Sequence, residues 1–239
     1  MLSVVCPAYN EAENIERLMD ELQAKVSVPM ELLIVHDHDD DNTIPVVRSI
    51  SSQYPFEVRL LKNKFGVGAL NAIKTGFAEA RGEAVLVVMA DISDDFSVVG
   101  EMYCLITVED FDIVCGSRYM PGGRHAGGPL IKKFFSSSIG ISLHYLAGLP
   151  THDVTNSFKM YKLRFLKGIK IESKGGFEIG MEMVVKAFVN GNKITELPVT
   201  WSDRTAGKSR FRMWKWAPNY LWWYLYIWKK LWRRKQSPE

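Results

Sequence analysis

Val85-Leu86-Val87-Val88-Met89-Ala90-Asp91-Ile92-Ser93-Asp94-Asp95 is an apolar run that breaks into carboxylates. An unbroken apolar run such as Val85–Met89 suits a strand buried on both faces, and polar residues right after it belong at that strand's carboxyl end. Apolar runs also occur at Leu32–Val35 and Ile113–Cys115 and, each broken by one polar residue (Ser3, Arg59), at Leu2–Cys6 and Val58–Leu61. Between them, Ile15, Leu18, Met19 and Leu22 recur at i, i+3, i+4 and i+7, which is one face of a helix. Thr43–Ser51 and Val67–Ala80 are further predicted helices, the second with Leu70, Ile73 and Phe77 along one side. Repeated βα units give an α/β fold, a mostly parallel sheet with helices on both faces. Such sheets bind ligands at the carboxyl ends of their strands, where the strand order reverses.

The strand ends exclude several ligand classes. Pro7-Ala8-Tyr9-Asn10-Glu11 follows the first strand without a glycine, and Gly66-Val67-Gly68 meets Asn71 where a dinucleotide fingerprint needs a third glycine. GxxxxGK[ST] and GxSxG are also absent, which argues against P-loop and α/β-hydrolase chemistry. What the strand ends carry is acid. Strand two runs into His36-Asp37-His38-Asp39-Asp40-Asp41-Asn42, and strand four into Asp91, Asp94 and Asp95. Acids from two strand ends converge on one rim, where they can hold a hard cation, a ribose or a base edge. Helix capping accounts for Asp41 or Asn42 and for Asp94 or Asp95, whereas Asp37 and Asp91 sit too early for it. His36 and His38 share a direction in extended chain, but a zinc site needs a third ligand, and His125, His144 and His152 supply no matching spacing.

The charge is uneven. Ten Lys/Arg against one acid from Arg204 to Glu239 give that tail +9, leaving −6 on the 203 residues before it. Trp214, Trp216, Tyr220, Trp222, Trp223, Tyr224, Tyr226, Trp228 and Trp232 crowd the same tail. Its unbroken apolar run, Tyr220–Trp228, is far short of the about 20 residues that span a bilayer. Aromatics followed by Lys229, Lys230, Arg233, Arg234 and Lys235 suit a helix lying in a membrane interface, which Pro218 starts or kinks. An oligomer interface is the main competitor; nucleic acid is not expected, because contiguous aromatics form no single stacking platform. The expected organisation is a catalytic domain over 1–203 and a basic, aromatic, membrane-associating tail over 204–239. Three scattered cysteines imply no disulfide framework, and Met1–Pro7 lacks the basic start of a signal peptide.

In order along residues 2–212, the strand-end motifs resemble the family-2 glycosyltransferases of the GT-A fold, in their dolichol-phosphate mannose synthase-like branch. They are Val5 to Glu11 with Asn14-Ile15, Val35-His36-Asp37 through Asp41-Asn42-Thr43, Asn71 to Gly76, Ala80-Arg81-Gly82 and Ala90 to Asp95. Gly116-Ser117-Arg118-Tyr119 with Gly122-Gly123, Asp153 to Phe158, and Arg204 with Gly207-Lys208-Ser209 complete the set. The resemblance implies an inverting transfer of a hexose, mannose or glucose, from a nucleotide-diphosphate sugar such as GDP-mannose to a polyprenyl (dolichyl-type) phosphate. It implies a peripheral protein on the cytoplasmic side of a membrane and a divalent cation, Mg2+ or Mn2+. Carried over by position, Pro7, Tyr9, Glu11 and Asp37 line the nucleotide pocket and Asp91 is the metal carboxylate. Arg118 and Arg204 face phosphates, Lys132 or Lys133 lies on a mobile loop, Lys208 or Arg210 is nearby, and Asp153 sits beside the transferred sugar.

The chain departs from the family at Met89, which replaces the first carboxylate of the DxD-type metal motif with a poor ligand for magnesium or manganese. The expectation is weak cation binding through Asp91, with help from the donor diphosphate, water and Asp94 or Asp95, or little metal dependence. Histidines and extra acids after strand two, where Asp-Asp-Gly-Ser is usual, leave the base preference open. The related alternatives are a transferase acting on a glycolipid or soluble saccharide and a non-catalytic nucleotide-sugar-binding protein. Five glycines between 116 and 128 ahead of Pro129 read as a lid over donor and acceptor, or as a long surface loop.

Overall fold

The computed structural model describes residues 1–203 and 213–236. The strands are β1 (Leu2–Ala8), β2 (Met30–His36), β3 (Glu57–Lys62), β4 (Ala84–Val87), β5 (Ile113–Ser117), β6 (Arg124–Ala126), β7 (Lys159–Lys162), β8 (Ile194–Pro198) and β9 (Thr200–Ser202). The helices are α1 (Ile15–Lys25), α2 (Thr43–Ile50), α3 (Ala69–Glu79), α4 (Val99–Thr107), α5 (Leu130–Ala147), α6 (Leu163–Gly168), α7 (Ile179–Asn190) and α8 (Met213–Gln236).

Seven strands form one sheet in the order β3-β2-β1-β4-β7-β5-β8. Its pairs are parallel except around β7, which runs antiparallel to both β4 and β5. Strand alternation divides the core in two. Val5, Leu33, Val85 and Cys115 face a layer containing α3, α7 and α8. Val4, Cys6, Leu32 and Leu86 face α1, α2 and α4. Full burial of all seven β1 side chains is what an interior parallel strand requires. The order reverses between β1 and β4, so the rim outside those strands is the natural ligand crevice.

Two segments differ from the sequence reading. The glycine-rich stretch is neither a bare loop nor free: β6 pairs in parallel with β9 to make a second, two-stranded sheet. Lys132 and Lys133 lie in the first turn of α5, not on a mobile loop, because the helix begins directly after Pro129. Helix α5 presses onto the backbone of His152 and Asp153 at Gly140, where any Cβ would collide with the His152 carbonyl. Its outward side leaves Leu130, Ile131, Phe134, Tyr145 and Leu146 exposed.

Helix α8 contains Pro218 in its interior and is docked along one face. Trp223 and Ile227 are buried in the core beside α7, and Trp223 Nε1 donates to Ser173 Oγ at 3.2 Å. Asn219 Nδ2 donates to the buried Glu178 carboxylate at 3.1 Å. The other side exposes Leu221, Trp222, Leu225 and Trp232. Among the described residues, no helix is long and apolar enough to cross a membrane.

Candidate functional site

At the ends of β1 and β2 lies a cleft of about 250 Å³ lined by Tyr9, Asn10, His38, Asp40 and Asp41. Tyr9 and His38 meet edge to face, with ring centroids 6.2 Å apart. Asp41 shapes its floor by accepting from Thr43 N at 2.8 Å and Asn10 N at 3.0 Å. Burial alone would raise the Asp41 pKa, but these bonds outweigh it and hold the group ionised. Asp41 is therefore the capping acid, whereas Asn42 makes no side-chain cap to its helix. Asp37 has a different task. Its carboxylate accepts from Asn63 Nδ2 at 2.9 Å and from Gly68 N at 3.0 Å, fixing the entry to α3. Gly68 has φ +112°, a conformation that favours glycine. Glu11 is held locally by Asn14, and Pro7 is buried within β1 behind the cleft.

The loop after β4 holds the second acid group. Asp91 Oδ1 accepts from Ser93 Oγ at 2.7 Å and Ser93 N at 3.3 Å. Between them Ile92 has φ +54°, an uncommon and strained conformation for a β-branched residue. The loop is pinned from β9 by Ser202 N, which donates to Ser93 O at 2.9 Å, and by a bridge between Asp94 and Trp201. Asp94 and Asp95 diverge. Asp95 accepts from Ser97 N at 3.0 Å and pairs with Lys25, so it caps the next turn. Asp94 is buried, and desolvation pushes its pKa up to about 7 although Arg118 and Asn156 pull the other way.

That shift sets a pH dependence. A carboxyl whose folded pKa lies above its unfolded value binds more protons when folded, so between about pH 4 and 7 stability declines as pH rises. Asp94→Asn is expected to flatten the fall in melting temperature across that window. An unchanged slope in the variant would refute the assignment.

Arg118 and Asp153 form the third part. Arg118 Nε donates to Asp153 Oδ2 at 2.6 Å and Nη2 to Oδ1 at 3.0 Å, a bidentate fork. Asp153 also accepts from Arg118 N, Thr155 Oγ1 and Asn156 N, each at 3.1 Å. Its side chain is 0% exposed and its five hydrogen bonds saturate it, so Asp153 orients Arg118. Burial favours the protonated acid, yet Arg118 overrides it and lowers the pKa. The Arg118 guanidinium lies 5.0 Å from the Tyr119 ring, and Tyr119 OH bonds Ser136 of α5 at 2.5 Å.

The structure thus brings Asp91, Asp94, Arg118 and Asp153 within electrostatic reach of one another, whereas Asp37, at the end of β2, is engaged with Asn63 and Gly68. Arg204, Lys208 and Arg210 lie outside the described residues. Among the described residues, no three metal-ligating side chains converge. Met89 offers only a soft thioether, so the residues present fit a hard cation only if a ligand's own phosphate oxygens complete its shell. Sequence reasoning gave no role to Ser93, Asn63, Asn156 or Lys159. Lys159 carried a signal, being a lysine between two strand-forming apolar residues, Phe158 and Met160.

Residues 3–169 match the profile of glycosyl transferase family 2. A dolichol-phosphate mannosyltransferase of Pyrococcus furiosus is 30% identical over 88% of this chain, which spans 59% of that protein's length. A dolichyl-phosphate beta-glucosyltransferase of Trichomonas vaginalis is 32% identical over 87% of the chain and 68% of its own length. Glucosyl-3-phosphoglycerate synthase of Mycobacterium tuberculosis, solved with Mn2+, UDP-glucose and phosphoglyceric acid, superposes with a TM-score of 0.66 at 18% identity, covering 100% of this chain and 81% of that one. That likeness concerns the fold.

Proposed function

Because the chain belongs to glycosyl transferase family 2, we propose that it moves a hexose from a nucleotide-diphosphate sugar to a polyprenyl phosphate at the cytoplasmic face of a membrane. Mannose and glucose are the candidate hexoses, since they are the sugars implied by the relatives' names. The observation that carries the acceptor is the exposed apolar side of α5, reached from Arg118 in two steps through Tyr119 and Ser136. A water-soluble acceptor has no need of Leu130, Ile131 and Phe134 beside the chemistry.

An acceptor phosphate is ionised near neutral pH, so it attacks without a strong general base. Asp153, buried and saturated, leaves no carboxylate there to act as one. One phosphate oxygen forms a bond to the anomeric carbon as the bond to the nucleoside diphosphate breaks, which inverts the centre. Charge builds on the leaving diphosphate, and Arg118, preset by Asp153, is the protein's contribution to holding it. Asp91, with Asp94 in electrostatic reach, would hold Mg2+ or Mn2+, which would supply positive charge to offset that of the leaving diphosphate. Radiolabelled hexose should pass from GDP-mannose or UDP-glucose into an organic-soluble, acid-labile product. Label recovered only on water-soluble saccharide would favour a different acceptor.

The membrane part rests on two outward faces. Beside the exposed apolar residues of α5 stands Lys133, and beside those of α8 stand Lys229 and Arg233. Each such cation contributes about 1 kcal/mol against an anionic leaflet. Liposome flotation should show binding that strengthens with anionic lipid and falls at least tenfold in Phe134→Asp and Trp222→Asp. Binding indifferent to lipid charge and to both substitutions would reject the membrane surface.

A further inference from the structure

The cation-side acids follow β4 and Arg118 follows β5, but these strands are not neighbours. Strand β7 lies between them, and because it is antiparallel to both, its first residue sits at their carboxyl ends: Lys159 pairs with Val87 on one side and Cys115 on the other. The segment just before β7 therefore occupies the gap between the two halves of the site.

Asn156 fills that gap and uses every polar group it has. Its Nδ2 donates to Gly116 O at 3.0 Å on the β5 side and, at a long 3.5 Å, to Asp94 Oδ1 on the β4 side. Its Oδ1 accepts from Phe158 N at 3.3 Å, and its own N donates to Asp153 Oδ1 at 3.1 Å. Its carbonyl receives Lys159 Nζ, which also donates to Val154 O at 3.2 Å. Lys159 is 0% exposed and has no carboxylate partner within ion-pair distance among the described residues. A buried ammonium is costly unless its donors are satisfied. Here main-chain carbonyls supply the acceptors, which ties the 153–157 turn to the base of β7.

The geometry points to Asn156, clamped by Lys159, as the positioning residue that sets Asp94 and the Arg118–Asp153 pair in one register across β7. This rests on the transfer reading above for its consequence, but not for its geometry. A donor diphosphate held between a cation-side carboxylate and a guanidinium needs both at a fixed separation, and misplacement by about 1 Å can lower a rate a hundredfold. The sheet cannot fix that separation directly, since β4 and β5 never pair.

A mutant cycle on full-length protein tests it. Asn156→Ala and Asp94→Asn should each lower kcat, the first at least thirtyfold, and the double variant should fall no further than the worse single. Losses that multiply would indicate independent structural effects and overturn the proposal. Hydrogen exchange gives a second readout that needs no turnover. In Asn156→Ala, segments 89–96 and 116–120 should exchange together at least tenfold faster while β2 is unchanged, and Lys159→Met should release both in the same way. Unchanged exchange in either segment overturns the register. If the alanine variant does not fold, Asn156→Leu, of similar size but with no group to donate to Gly116 O, carries the same measurement. A wild-type chain that turns over no donor would defeat the transfer reading, and exchange would still decide this one.

Discussion

Asp91→Ala is expected to lower hexose transfer by about a thousandfold, the upper range for losing one preorganised electrostatic group. The reason is the state of its neighbours. Asp95 is turned away to cap Ser97 and meet Lys25. Asp94 is pushed to a pKa of about 7, so near neutrality it is present in both forms. Met89 brings no charge at all. Asp91 is aimed instead, with Ser93 holding one carboxylate oxygen through both its hydroxyl and its amide. Ser93→Ala, which loosens that aim without removing charge, should fall by about tenfold, within the range of a single net hydrogen bond to a charged group. Saturating chelator should reproduce much of the Asp91→Ala defect. Turnover near wild type in Asp91→Ala would contradict the site.

Arg118→Ala is the second large effect, and it should appear in stability as well as in rate. Removing the guanidinium strands Asp153, a carboxylate with 0% exposure. Breaking a buried pair from one side costs about 3–5 kcal/mol, which corresponds to a fall of about 10 °C in melting temperature for a chain of this size. Asp153→Asn should be milder, since Thr155, Asn156 and the fork can still meet an amide in part. The sign with pH follows from the lowered Asp153 pKa. Its stabilisation is present above the unfolded carboxyl value and is lost as pH falls through the folded one, so the gap between wild type and Arg118→Ala should close in acid. An Arg118→Ala protein melting within about 2 °C of wild type would show that the fork bears little stability.

Much of this was legible in the sequence where it is periodic. The runs at Leu2, Leu32, Val85 and Ile113 became β1, β2, β4 and β5 because burial on two sides leaves a plain apolar signature, the Val58 run became the partly exposed edge strand β3, and the faces around Ile15 and Leu70 became α1 and α3. Strand β7 gave no such signal: Lys159-Met160-Tyr161-Lys162 is four residues with a lysine at each end, one of them buried only because carbonyls receive it. Missing β7 hid the arrangement of the site. Asp37 and Asp91 could be picked out as strand-end acids, while Arg118 and Asp153 came only through the family resemblance, and their pairing spans 35 positions and depends on an antiparallel strand inserted into a parallel sheet. The tail was legible as amphipathic. That Trp223 and Ile227 dock on α7 was not, since contiguous aromatics do not reveal which side faces the protein.

Calorimetric titration of GDP and of UDP into the full-length protein, with and without Mn2+, bears most directly on the idea that these groups form one diphosphate-gripping cleft. One of the two nucleotides should bind, at least tenfold more tightly with Mn2+ than without, and both Asp91→Ala and Arg118→Ala should weaken it severely. Binding of neither nucleotide in the presence of Mn2+, or binding that survives both substitutions, would contradict the cleft.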